Sequence, residues 1–206
     1  MNRKLSTELT DMLNIDFPII QAPMFLVSNA KMVIEACNSG ITGCFPALNY
    51  RTIEEFRQAI LEVQRNCNGP IGVNLIVNKF NTKMTKQLEV CVELNVDYII
   101  TSLGSPKSTI EACKQKGIKV FCDVVNLEYA KKVEALGADA LIAVNNQAGG
   151  HLGPMSPEEL IPLLVQNCNI PVISAGGVSD GYQLEKVLAL GACGVSIGTP
   201  FIATHE

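Results

Sequence analysis

Three stretches of the chain are versions of one local pattern: Lys116-Gly117-Ile118, Leu136-Gly137-Ala138-Asp139-Ala140 and Leu190-Gly191-Ala192-Cys193-Gly194. Each ends an apolar periodic segment on a glycine, where a left-handed residue terminates a helix cheaply, and then opens a β-branched run. Gly40 and Gly69 punctuate the chain in the same way. A repeated helix–Gly–strand junction argues for a repeating βα unit. The period analysis agrees, giving candidate strands at Pro18–Met24, Ile41–Phe45, Ile71–Leu75, Tyr98–Ser102, Lys119–Asp123, Ala140–Val144, Pro171–Ala175 and Gly194–Gly198. Between them, helical spacing predicts amphipathic segments such as Thr52–Cys67, Thr85–Leu94, Lys107–Lys116, Leu127–Leu136, Pro157–Gln166 and Gly181–Leu190.

The eight candidate strands place the chain in the α/β class and close naturally into a TIM (β/α)₈ barrel, although doubly wound sheets use the same alternation. The first strand is followed by no GxGxxG, and polar and glycine-rich residues gather at strand C-terminal ends, which suits a barrel mouth. With 206 residues, 48% of them hydrophobic, there is enough apolar material for one sizeable core, and residues 1–206 read as a single barrel domain. The chain stops at Glu206, directly after the eighth strand. The barrel is therefore expected to lack its final helix and C-terminal region, exposing apolar surface beside strands 1 and 8 for a partner or a longer chain to cover.

Charge narrows the ligand. Sixteen Lys plus Arg against 20 Asp plus Glu give a net −4, with neither sign in a block, so neither nucleic acid nor an acidic membrane is an expected partner. No segment reaches the apolar length of a membrane span and Met1–Asp16 is charged throughout, so a soluble, cytoplasmic protein is expected. The eight cysteines are scattered at long intervals with no CxxC, which reads as reduced, buried thiols. Only His151 and His205 are present and neither has a cysteine at ligand spacing, so no metal site is expected.

Four strand ends carry chemistry. Ser174-Ala175-Gly176-Gly177-Val178 after strand 7 and Gly194-Val195-Ser196-Ile197-Gly198-Thr199 at strand 8 can turn backbone N–H groups toward a phosphate, although each alone is also an ordinary tight turn. Asn145-Asn146-Gln147-Ala148-Gly149-Gly150-His151 follows strand 6 and brings one imidazole to the mouth, as a general base or as a structural histidine. Gln21-Ala22-Pro23-Met24 and Gly72-Val73-Asn74 are either core packing or a lining, with the amides of Gln21 and Asn74 able to meet the polar edge of a heterocycle.

In order along the chain, Pro18-Ile19-Ile20-Gln21-Ala22-Pro23-Met24, Gly72-Val73-Asn74, Gln147-Ala148-Gly149-Gly150-His151, Ala175-Gly176-Gly177-Val178 and Gly198-Thr199-Pro200-Phe201 resemble the nitronate monooxygenases, once called 2-nitropropane dioxygenases. The resemblance spans residues 5–206 and extends to the FMN-dependent enoyl-ACP reductases II. It implies an FMN-binding TIM barrel, an oxidoreductase acting on alkyl nitronates with dioxygen or, in the reductase version, on an enoyl thioester with NAD(P)H. By the same resemblance Ala22, Pro23 and Met24 would line the isoalloxazine, with Asn74 and Asp123 at its polar edge. Ala148 and Gly149 would touch the cofactor, Gly176, Gly177, Gly198 and Thr199 would hold its phosphate, and His151 would be catalytic. The chain departs from the family at Gln147, often acidic, and at Pro200, commonly arginine; strand 5 matches poorly. Two other classes stay open: a shortened, non-catalytic FMN-binding chain, and a barrel that binds a sugar phosphate. The chain could work as a monomer or as a homo-oligomer.

Overall fold

The computed structural model describes residues 5–205. Eight parallel strands close on themselves in sequence order, each hydrogen-bonded to its neighbours and β8 to β1. They are β1 (Ile19–Gln21), β2 (Thr42–Pro46), β3 (Ile71–Ile76), β4 (Tyr98–Ser102), β5 (Lys119–Val124), β6 (Ala140–Val144), β7 (Val172–Ala175) and β8 (Gly194–Ile197). A short helix, α1 (Glu8–Leu13), precedes the barrel, and α2 (Ala30–Asn38), α3 (Ile53–Asn66), α4 (Met84–Glu93), α5 (Lys107–Lys114), α6 (Leu127–Leu136), α7 (Pro157–Asn167) and α8 (Gly181–Ala189) follow strands 1 to 7 in turn. The expected barrel is therefore the observed one. After β8 only a 3₁₀ turn, Thr199–Ala203, lies among the described residues, and on the outer faces of β1 and β8 Ile19 and Ile197 are half-buried.

Period two sorts each strand into an inner and an outer face. On β5, Phe121 and Asp123 point into the barrel while Val120, Cys122 and Val124 pack outward against the helices. The barrel floor is filled by Tyr98 and Phe121, whose rings stack at 5.0 Å, and by Leu9 and Leu13 of α1, which enter from below. Gly72 makes room for this layer: a Cβ there would lie 2.2 Å from Tyr98 Cζ. The phenol is satisfied in place, accepting from Thr42 Oγ1 at 3.1 Å and donating to the Gly43 carbonyl at 3.2 Å.

Helix ends follow the local chemistry. Thr7, Thr52 and Ser156 each form a capping box, which satisfies two otherwise orphaned donors at once. Gly40, Gly117, Gly137 and Gly191 take the left-handed conformation that the junction pattern requires; Gly69 does not, because α3 ends instead on an extended Cys67. Strand β1 stops at Gln21 rather than Met24: Pro23 has no N–H for a ladder, and Ser28 Oγ takes over, accepting from Met24 N–H at 2.8 Å and donating to Ala22 carbonyl at 2.9 Å. No helix is long and apolar enough to cross a membrane among the described residues.

Candidate functional site

Parallel strands deliver all their C-terminal ends to one rim, so the residues singled out by sequence converge there. The turn after β7 holds Gly176 and Gly177 at φ +112° and +78°. A Cβ on Gly176 would stand 2.5 Å from both Ala148 N and Asn145 Oδ1, and one on Gly177 would meet Gln147 Oε1 at 2.1 Å. The loops after β6 and β7 thus interlock where only glycine fits. Gly149 packs against Thr199, whose Oγ1 lies 3.0 Å from an ideal Cβ, and Gly198 packs against Met24 and Ala22. Ala22, Met24, Ala148, Gly149, Gly176, Gly177, Gly198 and Thr199 therefore form one contiguous patch. Within it the backbone N–H groups of Gly177, Gly198 and Thr199 have no acceptor among the described residues, the condition of a cradle able to receive an anion. The N-terminus of α8 is not equally open: Asp180 accepts from Gln183 N–H at 2.8 Å and occupies it.

Asn145, which the sequence offers only as the first residue of the polar run that leads to the histidine, organises the His151 loop. It is fully buried. Its Nδ2 donates to Gly176 carbonyl at 3.1 Å, its Oδ1 accepts from Gln147 N–H at 2.8 Å, and its carbonyl accepts from Gly153 N–H at 3.2 Å. His151 itself is exposed at the end of this loop.

Across the mouth, Asn74, Ser102 and Asp123 form a hydrogen-bonded row on β3, β4 and β5. Asn74 Nδ2 donates to Ile100 carbonyl at 3.1 Å and to Ser102 Oγ at 2.8 Å, and Ser102 in turn donates to Asp123 Oδ2 at 2.5 Å. The carbonyl can only accept, so the amide orientation is fixed, and Asn74 Oδ1 is left as the atom that can accept from a ligand. Burial pushes the Asp123 carboxyl up to about 6, against the opposing pull of the Ser102 hydrogen bond and the nearby His151. Gln21 is not at the mouth. It lies on the outer face of β1, fully buried, with its amide donating to Ser28 Oγ at 2.9 Å.

The rim is apolar. Phe25, Leu26, Phe80, Leu103 and Leu152, all on loops that leave strand C-terminal ends, are more than half exposed, and Leu26 and Leu103 hold φ +59° and +60°. A bulky residue rarely adopts that conformation, and such strain concentrates at functional positions.

A closed parallel barrel with its polar groups and glycine turns collected at the C-terminal face is the architecture on which (β/α)₈ enzymes build their sites. Within that class, the chain belongs to the nitronate monooxygenase family, whose model matches residues 6–206. Among curated relatives, (3aS,4S,5R,7aS)-5-hydroxy-7a-methyl-1-oxo-octahydro-1H-indene-4-carboxyl-CoA dehydrogenase of Mycobacterium tuberculosis is 32% identical over 98% of this chain and 57% of its own length. A probable nitronate monooxygenase of Staphylococcus saprophyticus is 31% identical over 98% of this chain and 70% of its own. The solved structure of FabK from Thermotoga maritima superposes with a TM-score of 0.92 at 32% identity, over 98% of this chain and 64% of that one. The chain spans little more than half the length of the dehydrogenase relatives it matches.

Proposed function

We propose that the mouth binds FMN and that the chain serves an FMN-dependent oxidoreductase, a nitronate monooxygenase that oxidises alkyl nitronates with dioxygen. The observation that carries this is the shared patch: three backbone N–H groups without acceptors, at Gly177, Gly198 and Thr199, on the rim that also bears Asn74 and the His151 loop. The residues present suit the cofactor. The free N–H groups match a phosphate, and Asn74 Oδ1 matches the imide N–H of an isoalloxazine. In this reading Ala22, Pro23 and Met24 line the ring, Ala148 and Gly149 touch it from the β6 side, Gly176 completes the phosphate turn, and Asp123 lies toward the polar edge. When bound, FMN supplies the redox chemistry. The chain orients it, covers it from water with the apolar rim, and presents His151 to the acidic proton or the negative charge of the substrate.

A second reading, an NAD(P)H-dependent enoyl thioester reductase, draws on the exposed apolar rim, which suits an acyl chain, and on the likeness to FabK. Titration of FMN with the protein tests the shared premise. Saturable quenching of flavin fluorescence near one FMN per chain is expected, and no quenching overturns both readings. On the loaded protein, oxygen consumption with ethyl nitronate and no nicotinamide supports the monooxygenase; turnover that requires NAD(P)H replaces it with the reductase.

A further inference from the structure

The loop after β3, residues 77–83, presents an aromatic ring to solvent and holds it in place. Phe80 is 80% exposed, more than Phe25, Leu26, Leu103 or Leu152 on the rest of the rim. Its turn is fastened from both sides. Asn78 Oδ1 accepts from Phe80 N–H at 2.9 Å and from Asn81 N–H at 3.2 Å, while Asn81 Nδ2 donates to Ile76 carbonyl at 2.9 Å and to Oε1 of the buried Gln87 at 3.0 Å. A solitary exposed ring is ordinary on a protein surface; this one is set apart by the turn that fixes it and by the charges around it. Lys79, Lys83 and Lys86 fall within eight residues that hold no Asp or Glu, and none of the three makes an ion pair among the described residues. Lys79 Nζ stands 5.4 Å from the centroid of the Phe80 ring, which places one cation against the ring itself. Lys83 Nζ donates to the Arg51 carbonyl and so ties the loop to the one after β2.

We propose that Phe80 with Lys79, Lys83 and Lys86 forms a nucleotide site at the edge of the mouth, in which the ring stacks on a purine base and the ammonium groups face its phosphates. An exposed aromatic face takes a planar base by stacking, and lysines beside it supply the charge that phosphates require. Three cations on one turn match a single nucleotide. A nucleic-acid strand needs a continuous basic track, and the chain, at net −4 with neither sign in a block, has none. The other exposed rim residues lack this setting: residues 22–28 and 149–154 contain no Lys or Arg, so they suit the apolar part of a ligand. Phe80 lies six residues beyond Asn74, which keeps the two Cα atoms within at most ~22 Å. A ligand whose adenosine phosphate rests on Phe80 therefore extends its other end to the mouth, and nicotinamide dinucleotides and thioesters of coenzyme A both carry that group. Binding at Phe80 stands apart from the flavin reading; only the redox use of the ligand's far end rests on it.

Calorimetric titration with ADP, on protein with and without saturating FMN, tests the site. One ADP per chain is expected in both states, with an affinity that weakens as salt rises and with no displacement of FMN. Phe80→Ala should weaken ADP by ~5–100-fold, the range for a lost stacked base. Ribose 5-phosphate, which has no base, should bind F80A as it binds the parent. Lys79→Gln combined with Lys86→Gln should weaken ADP and ribose 5-phosphate alike and flatten the salt dependence. Quenching of FMN fluorescence should stay at the parent level in both variants, since neither alters the glycine turns. The same titration with NADPH and with coenzyme A separates the two sources: the one whose affinity falls in F80A by the factor seen for ADP is the ligand, and a fall in both makes the site common to them. Absence of ADP binding at millimolar concentration, ADP binding that ignores F80A, or ADP that displaces FMN overturns the proposal. Absence of FMN quenching while ADP binding and its loss in F80A persist overturns the flavin reading alone.

Discussion

Asp123 also bears on stability, and in the sense opposite to most carboxylates. Its folded-state pKa of about 6 stands above the ordinary value of 3.8, so between those values the folded protein holds more protons than the unfolded chain. The stabilisation this brings is complete below about pH 4 and is lost as pH rises through 6. Above that, an ionised, part-buried carboxylate is a burden on the fold. D123N, which keeps an oxygen for Ser102 to donate to, should therefore be more stable than the parent at pH 8 by on the order of 2 kcal/mol and no more stable at pH 4. Urea midpoints measured across that range check it; a pH-independent difference would contradict it. At this scale the sequence is only partly readable. His151 and the glycines of the β7 and β8 turns stand out because their residue types are unusual where they sit. Ser102 and Asn145 do not: a serine at a strand end and one asparagine of a pair carry no signal until the register aligns Ile76 with Ser102 and the β6 loop folds onto Gly176. For Gln21 the sequence leaves core packing and a mouth lining both open, and strand alternation decides for packing by turning it outward, beside Ser28.

Among the elements, the buried strands are the most legible. Tyr98–Ser102 and Ala140–Val144 coincide with their apolar runs, since a strand covered on its outer face by helices and on its inner face by side chains reads as a continuous hydrophobic stretch. Helix α6 likewise matches its expected bounds, fixed by an Asn126 cap at one end and a left-handed Gly137 at the other. Helix α1 escapes notice because six residues are too few for a 3.6-residue period to emerge from a charged segment. Yet it is structurally important. Leu9 is fully buried in the barrel floor, with Cδ2 filling the space that a Cβ on Gly194 would need, 2.3 Å away. Leu9→Ala should cost about 2–5 kcal/mol, the range for deleting a buried leucine, as read from chemical denaturation. A loss under ~1 kcal/mol would mean that α1 rests on the barrel without being part of its packing.

For the whole molecule, closure replaces the edges that an open sheet would have to protect. The thiols follow from the same closure. All eight cysteines are free, and seven of them are buried; burial pushes Cys37, Cys113 and Cys193 up to about 12 and Cys122 up to about 11. A thiol reagent at pH 8 should thus modify Cys168 first, the one half-buried cysteine, and reach the others only on the timescale of unfolding, with all eight reacting in denaturant. Mass spectrometry of partially labelled protein checks the order; early labelling at Cys44 or Cys91 would refute it. The alternation of strands and helices made the barrel legible because it depends on repetition, which survives ignorance of any single contact.

The plug that α1 and the stacked rings set into the floor has a kinetic corollary. A barrel stoppered from below by Leu9, Leu13, Tyr98 and Phe121 offers no passage through its floor, so anything that lodges inside must come and go across the open rim.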